Sequence, residues 1–178
     1  GGAKIIQLRD KRRNAAELYA IAQEIRSLCT QHHARFIVND RLDIALAVQA
    51  DGVHLGQDDL PLSAARLLAP RPFIIGVSVG TVEEAVLAEK GGADYLGVGP
   101  VYPTGTKADA GPAVGPGLIR SIRERVAIPI IAIGGINLTN AGDVLAAGAD
   151  GIAVISAVIC SPDIAAASRK FADLMIHS

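Results

Sequence analysis

Three short segments hold many of the residues able to do chemistry, and each sits at the end of an apolar run. Gln7-Leu8-Arg9-Asp10-Lys11 continues IIQL, Asn39-Asp40 follows RFIV, and Gly56-Gln57-Asp58-Asp59 follows GVHL. Alternation along an extended chain puts Gln7, Arg9 and Lys11 on one side. Arginine offers a planar fork of donors and lysine a point charge, and both suit phosphate. Taken alone, Arg9 reads equally as a phosphate ligand or as part of a solvated turn, and Arg12 and Arg13 read as turn. Asp40 suits Mg²⁺ and, equally, the N-cap of a helix through RLDIALAV. Asp58 and Asp59 could cap a helix starting near Pro61, or one could face Asp40 across adjacent strands. Paired carboxylates beside Arg and Lys are what a Mg²⁺–polyphosphate site needs, with waters and phosphate oxygens completing the shell. His54 reads best as a hydrogen-bonded rim or core histidine.

A second group lies further along. Ser78 ends the run FIIGV and can donate to a ligand, whereas Thr81 is better placed as a helix cap. The loop Gly99–Lys107, GPVYPTGTK, presents Thr104, Gly105, Thr106 and Lys107 after DYLGV. Gly134-Gly135 follows IPIIAI, and Ile155-Ser156 closes GIAVI. Glycine-freed backbone N–H groups after the last two strands of a barrel are a frequent phosphate cradle. The plainer reading of Gly135 is a tight turn. Together the segments offer a monophosphate cradle and a metal-and-cation site for a diphosphate. Two anionic substrates on one rim point to transfer with pyrophosphate as leaving group.

The elements that must position these residues are legible as alternating strands and helices. Strands are expected at Ile5–Leu8, Arg35–Val38, Gly52–Leu55, Phe73–Val77, Asp94–Val98, Ile128–Ile133 and Gly151–Ile155. They are apolar nearly end to end, as in parallel sheets buried on both faces. Asn14 with Glu17, and Thr81 with Glu84, are capping-box signals; the second helix should stop at Gly91. Pro116 and Pro162 suit first helical positions, the latter opening a last helix to about Ile176. Ala50-Asp51, Ala93-Asp94 and Ala149-Asp150 recur at helix-to-strand joins. They read as tight turns away from the active face, with Asp bonding the turn backbone.

Seven βα units in series, with no GxGxxG after the first strand, favour a (β/α)8 TIM-type barrel over a doubly wound sheet. The 178 residues fall short of the roughly 200 expected. A first βα unit of about 30 residues is therefore expected to be missing from the chain. The chain reads as a single domain over residues 1–178. A formal net charge of −1 without a basic block argues against nucleic acid. No apolar run approaches the roughly 20 residues of a membrane span. Cys29 and Cys160 lack metal-type spacing and read as reduced, partly buried hydrophobes, giving a cytoplasmic expectation.

The ordered set QLRDK, VND, HLGQDD, GVSVGT, GPVYPTGTK, IAIGGI and AVIS closely resembles the thiamine phosphate synthase family, from Ile5 to the last helix. The resemblance implies coupling of a hydroxymethylpyrimidine diphosphate to a thiazole phosphate alcohol with Mg²⁺, releasing pyrophosphate through a dissociative step. It implies that Gln7, Arg9, Lys11, Asn39 and Lys107 contact the pyrimidine diphosphate, with Leu8 and Asp10 of the same segment also binding substrate. Ser78 would contact the pyrophosphate or the pyrimidine. Asp40 and Asp59 would hold Mg²⁺; Thr104, Thr106, Gly135, Ile155 and Ser156 would hold the thiazole phosphate, and Gly105 would let its loop close over both anion sites. Lys107, Ser78, Arg9 and Lys11 would carry the catalysis. The implied partners are two phosphorylated small molecules, with oligomeric state left open. The alternatives are a thiazole tautomerase-like isomerase, which lacks the full diphosphate and metal set, and a truncated barrel that binds without turnover. Arg41, next to Asp40, reads as a surface residue whose charge could tune the metal.

Overall fold

The computed structural model describes residues 1–106 and 111–176. Its elements run β1 (Ile5–Leu8), α1 (Ala15–Gln31), β2 (Arg35–Asn39), α2 (Leu42–Ala47), β3 (Gly52–Leu55), α3 (Leu62–Leu68), β4 (Ile74–Val79) and α4 (Val82–Lys90). They continue with β5 (Tyr95–Val98), α5 (Gly115–Arg123), β6 (Ile130–Ile133), α6 (Ala141–Ala146), β7 (Gly151–Ala153), α7 (Ser156–Ile159) and α8 (Ile164–Ile176). The seven strands form one parallel sheet in sequential order, β1 to β7. The result is an α/β fold of TIM type, a curled half-barrel. Sequential order means that each βα crossover returns beside the strand just left.

Each expected strand is present, with differences at the ends that have local causes. β6 begins after Pro129, which has no N–H to give a neighbour. The preceding Ala127 and Ile128 N–H groups bond Glu89 Oε1 of α4 instead, at 2.6 and 3.1 Å. Asn14 and Glu17 form the full capping box at α1. At α4 the box is shifted: Thr81 accepts from Glu84 N–H, but the Glu84 carboxylate takes the N–H of Gly80. Pro162 does not open the last helix. Asp163 caps it, accepting from Ala166 N–H at 2.8 Å, and a separate short helix, α7, precedes it.

The strands bury apolar side chains on both faces; Phe36, Ile37 and Val38 on β2 and Ile75 on β4 are essentially inaccessible. Burying one such side chain is worth about 1.5–3 kcal/mol. β1 departs from this pattern, with Ile5 53% and Ile6 38% exposed at one edge of the sheet. Cys29 lies in the core, as expected, whereas Cys160 is exposed. Burial raises the Cys29 thiol above its ordinary range. No described helix is long and apolar enough to cross a membrane.

The Ala-Asp turns do more than close on themselves. Asp51 Oδ2 accepts from the N–H of Phe36 and from Arg26, both at 2.6 Å. Asp94 Oδ2 accepts from Ile75 N–H at 2.8 Å and Arg66 at 2.6 Å. Asp150 Oδ2 accepts from Ile130 N–H at 2.8 Å and Arg123 at 2.9 Å. Each aspartate therefore bonds the preceding strand rather than its own turn. Each also ties in an arginine from every second helix: α1, α3 and α5.

Candidate active site

A cleft of about 670 Å³ opens where the strands end. It is lined by residues at or just beyond the C-terminal ends of β1 to β7, which in a parallel sheet of this kind share one rim. Of the residues singled out from sequence, Arg9, Lys11, Asn39, Asp40, Asp59 and Ser78 line its first part. Thr104, Gly105, Thr106, Gly135, Ile155 and Ser156 line the part contributed by β5 to β7. Lys107 lies outside the described residues. Gln7, Leu8 and Asp10 do not line the cleft. Gln7 is exposed on β1, and Leu8 packs against the core. Asp10 accepts from the backbone N–H groups of Arg12 and Arg13, which hold its carboxyl below the ordinary range, and pairs with the Arg13 side chain. Arg13 belongs to this turn, as its sequence position indicates.

Asp40 sits at φ +62°, in the left-handed region that aspartate tolerates better than most residues. Its N–H bonds His54 O at 2.8 Å, which locks the end of β2 against β3. The helix that follows is capped at Arg41 with no side-chain bond, so Asp40 is not its N-cap. The Asp40 carboxyl is raised above its ordinary range, first by burial and then by the Asp59 carboxyl within hydrogen-bonding reach. Lys11 Nζ, 3.6 Å from Asp40 Oδ2, pulls the other way. Asp59 does not cap α3 either: Pro61 occupies that position, and Asp59 Oδ2 accepts from Gly56 N–H at 2.7 Å. Arg41 grips Asp43 through two bonds of 2.8 and 2.5 Å, which commits its guanidinium to α2.

The opposite part of the rim is built on two loops that fit together. Val101 N–H bonds Ile133 O and Tyr102 N–H bonds Gly134 O, so the GPVYP segment extends the β5–β6 pairing past the strands. Gly134 (φ +100°) and Gly135 (φ +65°) need glycine on two counts. The backbone is left-handed, and a Cβ on Gly135 would lie 2.6 Å from Pro103 O. The double glycine is thus more than a tight turn: it lets the β6 loop lie flat on the β5 loop. Asn140 clamps this loop, accepting from Asn137 N–H at 2.8 Å and donating to Gly135 O at 3.1 Å. Thr106 Oγ1 reaches Ser156 Oγ at 3.4 Å, bringing the β5 loop to the start of α7.

Sequence reasoning gave no role to Gln57, Asn140 or Tyr95. Gln57 lines the cleft and donates to Ser78 O at 2.6 Å. Its place within HLGQDD was the available signal. Asn140 lies beyond the motif it supports, so nothing local marked it. His54 bonds Tyr95 Oη at 2.9 Å and Ser78 Oγ at 2.8 Å, a hydrogen-bonded rim histidine as its sequence context indicates.

A curled parallel sheet with cations, a carboxylate pair and a glycine-rich loop on one rim defines an α/β enzyme of the TIM type. The chain belongs to the thiamine monophosphate synthase family, whose model matches residues 1–158. The thiamine-phosphate synthase of Methanocella arvoryzae is 61% identical over 170 residues, covering 96% of this chain and 80% of that protein. That of Moorella thermoacetica is 55% identical over 178 residues, covering 100% and 85%. Thiamine phosphate pyrophosphorylase from Pyrococcus furiosus superposes with a TM-score of 0.92 at 48% identity, covering 99% of this chain and 85% of that one. A 3-hexulose-6-phosphate synthase, at 18% identity and a TM-score of 0.70, shares the fold.

Proposed function

We propose that this chain joins 4-amino-5-hydroxymethyl-2-methylpyrimidine diphosphate to 4-methyl-5-hydroxyethylthiazole phosphate, giving thiamine phosphate and pyrophosphate. The observation that carries this reading is one cleft lined both by the Arg9–Lys11–Asp40–Asp59–Ser78 group and by the Thr104–Thr106–Gly135–Ser156 group. The first suits a diphosphate and the second a monophosphate.

Asp40 and Asp59 offer facing hard oxygen donors, and the pair fits Mg²⁺, which takes one or two carboxylates and leaves positions for water and phosphate. When bound there, Mg²⁺ would neutralise charge on the departing diphosphate. Arg9 and Lys11 add fixed positive charge on the same side. Ser78 contributes a hydroxyl donor at the end of β4. Lys107 is assigned to the leaving diphosphate on the family resemblance. Thr104, Thr106 and the Gly135 and Ile155–Ser156 backbone would orient the thiazole phosphate. The pyrimidine methylene becomes cationic as its C–O bond breaks, and the thiazole nitrogen then supplies the electron pair for the new C–N bond. Holding both partners on one rim supplies the proximity contribution, and no protein nucleophile is required.

The same proposal extends to the fold, a full (β/α)8 barrel. Among the described residues the sheet ends at β1 and β7, and an additional strand between them would close it. Two substrates, no nucleic acid and a cytoplasmic setting complete the reading.

The test is to mix both substrates with Mg²⁺ and measure pyrophosphate and thiamine phosphate in equal amounts. Thiazole isomerisation without pyrophosphate release, or ligand binding without product, would overturn it.

A further inference from the structure

Three adjacent strands carry an alternation of polar side chains and glycines. His54 on β3 is level with Gly76 on β4, and Gly76 is level with Tyr95 on β5. Two residues further along β4, Ser78 is level with Gly97 on β5. Each glycine vacates the volume that a neighbouring ring fills. A Cβ on Gly76 would overlap the Tyr95 ring, and one on Gly97 would lie 2.8 Å from His54 Cε1. The two rings meet over Gly76 with centroids 5.5 Å apart. The result is a continuous chain, Tyr95 Oη to His54 Nδ1 at 2.9 Å and His54 Nε2 to Ser78 Oγ at 2.8 Å, ending at the cleft.

We propose that Tyr95 and His54 are positioning residues that set the direction of the Ser78 hydroxyl, so that its proton is donated into the cleft. The inference rests on the reading above, in which an anionic leaving group lies beside Ser78. The reasoning is one of donors and acceptors. The Tyr95 hydroxyl has one hydrogen-bond partner among the described residues, the Nδ1 atom of His54. Burial holds the phenol well above its ordinary range, so it keeps its proton. A buried O–H needs an acceptor, and a ring nitrogen serves only when it carries no hydrogen. Tyr95 therefore donates to a bare Nδ1, and the neutral ring carries its hydrogen on Nε2. Nε2–H then donates to Ser78 Oγ, and the serine O–H is free to point at ligand. The opposite tautomer would draw the serine proton back to the ring and present only lone pairs to an anion. A donor fixed in this way costs no reorientation when charge develops on the leaving group, so its effect belongs in kcat more than in KM.

The test begins with the wild-type protein, labelled with ¹⁵N histidine. His54, one of four histidines, is identified by the loss of its signal in His54→Gln. At about pH 8, where an imidazole of ordinary basicity is neutral, the expected signature is a protonated Nε2 and a bare Nδ1. In Tyr95→Phe the Nδ1–H form should gain population. Steady-state rates should then show Tyr95→Phe lowering kcat about tenfold, with KM within about twofold. In a Ser78→Ala background, Tyr95→Phe should change kcat by less than about twofold, since the hydroxyl it orients is gone. A wild-type Nδ1–H tautomer, or losses that simply multiply in the double variant, would overturn the proposal. Wild-type enzyme that releases no pyrophosphate would overturn the functional reading instead, and the tautomer measurement would still decide the relay.

Discussion

At one end of the sheet, Asp51, Asp94 and Asp150 each meet a backbone N–H and an arginine; at the other, Asp40 and Asp59 meet each other. In each of the first three, Oδ2 is satisfied by donors that the fold itself supplies, and the residue bolts helix, turn and strand together. At the rim, Asp59 is partly satisfied by Gly56 N–H and Asp40 is drawn to Lys11, yet the carboxyls still oppose one another in a partly buried setting. The same residue type thus serves stability at the N-terminal ends of the strands and is held at a cost at the C-terminal ends. A site that must receive a cation or a polyanion is complete only with its ligand, and stability is given up there.

The contrast can be broken most severely from the rim side. Asp59→Ala should lower pyrophosphate release by roughly a thousandfold at saturating substrate, as loss of a charge-stabilising group typically does. Its melting temperature should stay close to that of wild type. A variant retaining more than about a tenth of wild-type activity would remove Asp59 from the machinery. The second largest effect is expected at the opposite end. Asp94→Ala removes the carboxylate that pairs with Arg66 and Arg71 and leaves the Ile75 N–H unmet. It should cost about 1.5–3 kcal/mol by denaturant titration, the range for hydrogen bonds to a charged group. Turnover measured well below the melting transition should change less than about twofold.

Asp150→Ala sharpens the same comparison, because the Asp150 side chain is 49% exposed against 22% for Asp94. Water can replace part of what is lost, so a smaller cost of about 1 kcal/mol is expected. Equal costs at the two positions would show that exposure is not what grades them.

The smallest effect carries the opposite sign. Asp40→Asn removes one of two facing carboxylates, and in metal-free protein at neutral pH it should raise stability by about 0.5–1 kcal/mol while abolishing most activity. The pH dependence follows from the raised carboxyl. The folded state holds the Asp40 proton more tightly than the unfolded chain does, so wild-type stability falls as pH climbs from the unfolded carboxylate range through the raised folded value. The advantage of Asp40→Asn should therefore fade on acidification and vanish below about pH 4. A variant less stable than wild type throughout would mean that Lys11 outweighs burial and Asp59.

Local patterns were readable because they depend on neighbours in the chain. The strands IIQL, RFIV and GVHL, the Asn14 box and the Thr81 cap each follow from a few adjacent residues. The fold class followed from the order of these units, since repeated βα segments have few ways to pack. Three readings turned on non-local information. Asp40 and Asp59 looked as suitable for capping as for binding, because a cap and a ligand share a residue type. Pro162 carries a helix-start signal, but Asp163 beside it made the competing cap. Leu8 and Asp10 were carried along by a contiguous motif, although strand alternation turns Leu8 to the core and turn geometry commits Asp10 to Arg12 and Arg13.

What the amino-acid sequence determined by itself was the parallel α/β architecture, the rim segments and the chemistry they can offer. Hydrophobic period, capping and residue type act within a few residues of chain. What only the tertiary structure decided was pairing across strands. It set Asp59 against Asp40, bound each turn aspartate to the neighbouring strand, laid Gly135 on the GPVYP loop and brought Tyr95 through His54 to Ser78. Those contacts depend on register between strands tens of residues apart. Register is fixed by packing the whole sheet at once, a condition no short stretch of chain can carry.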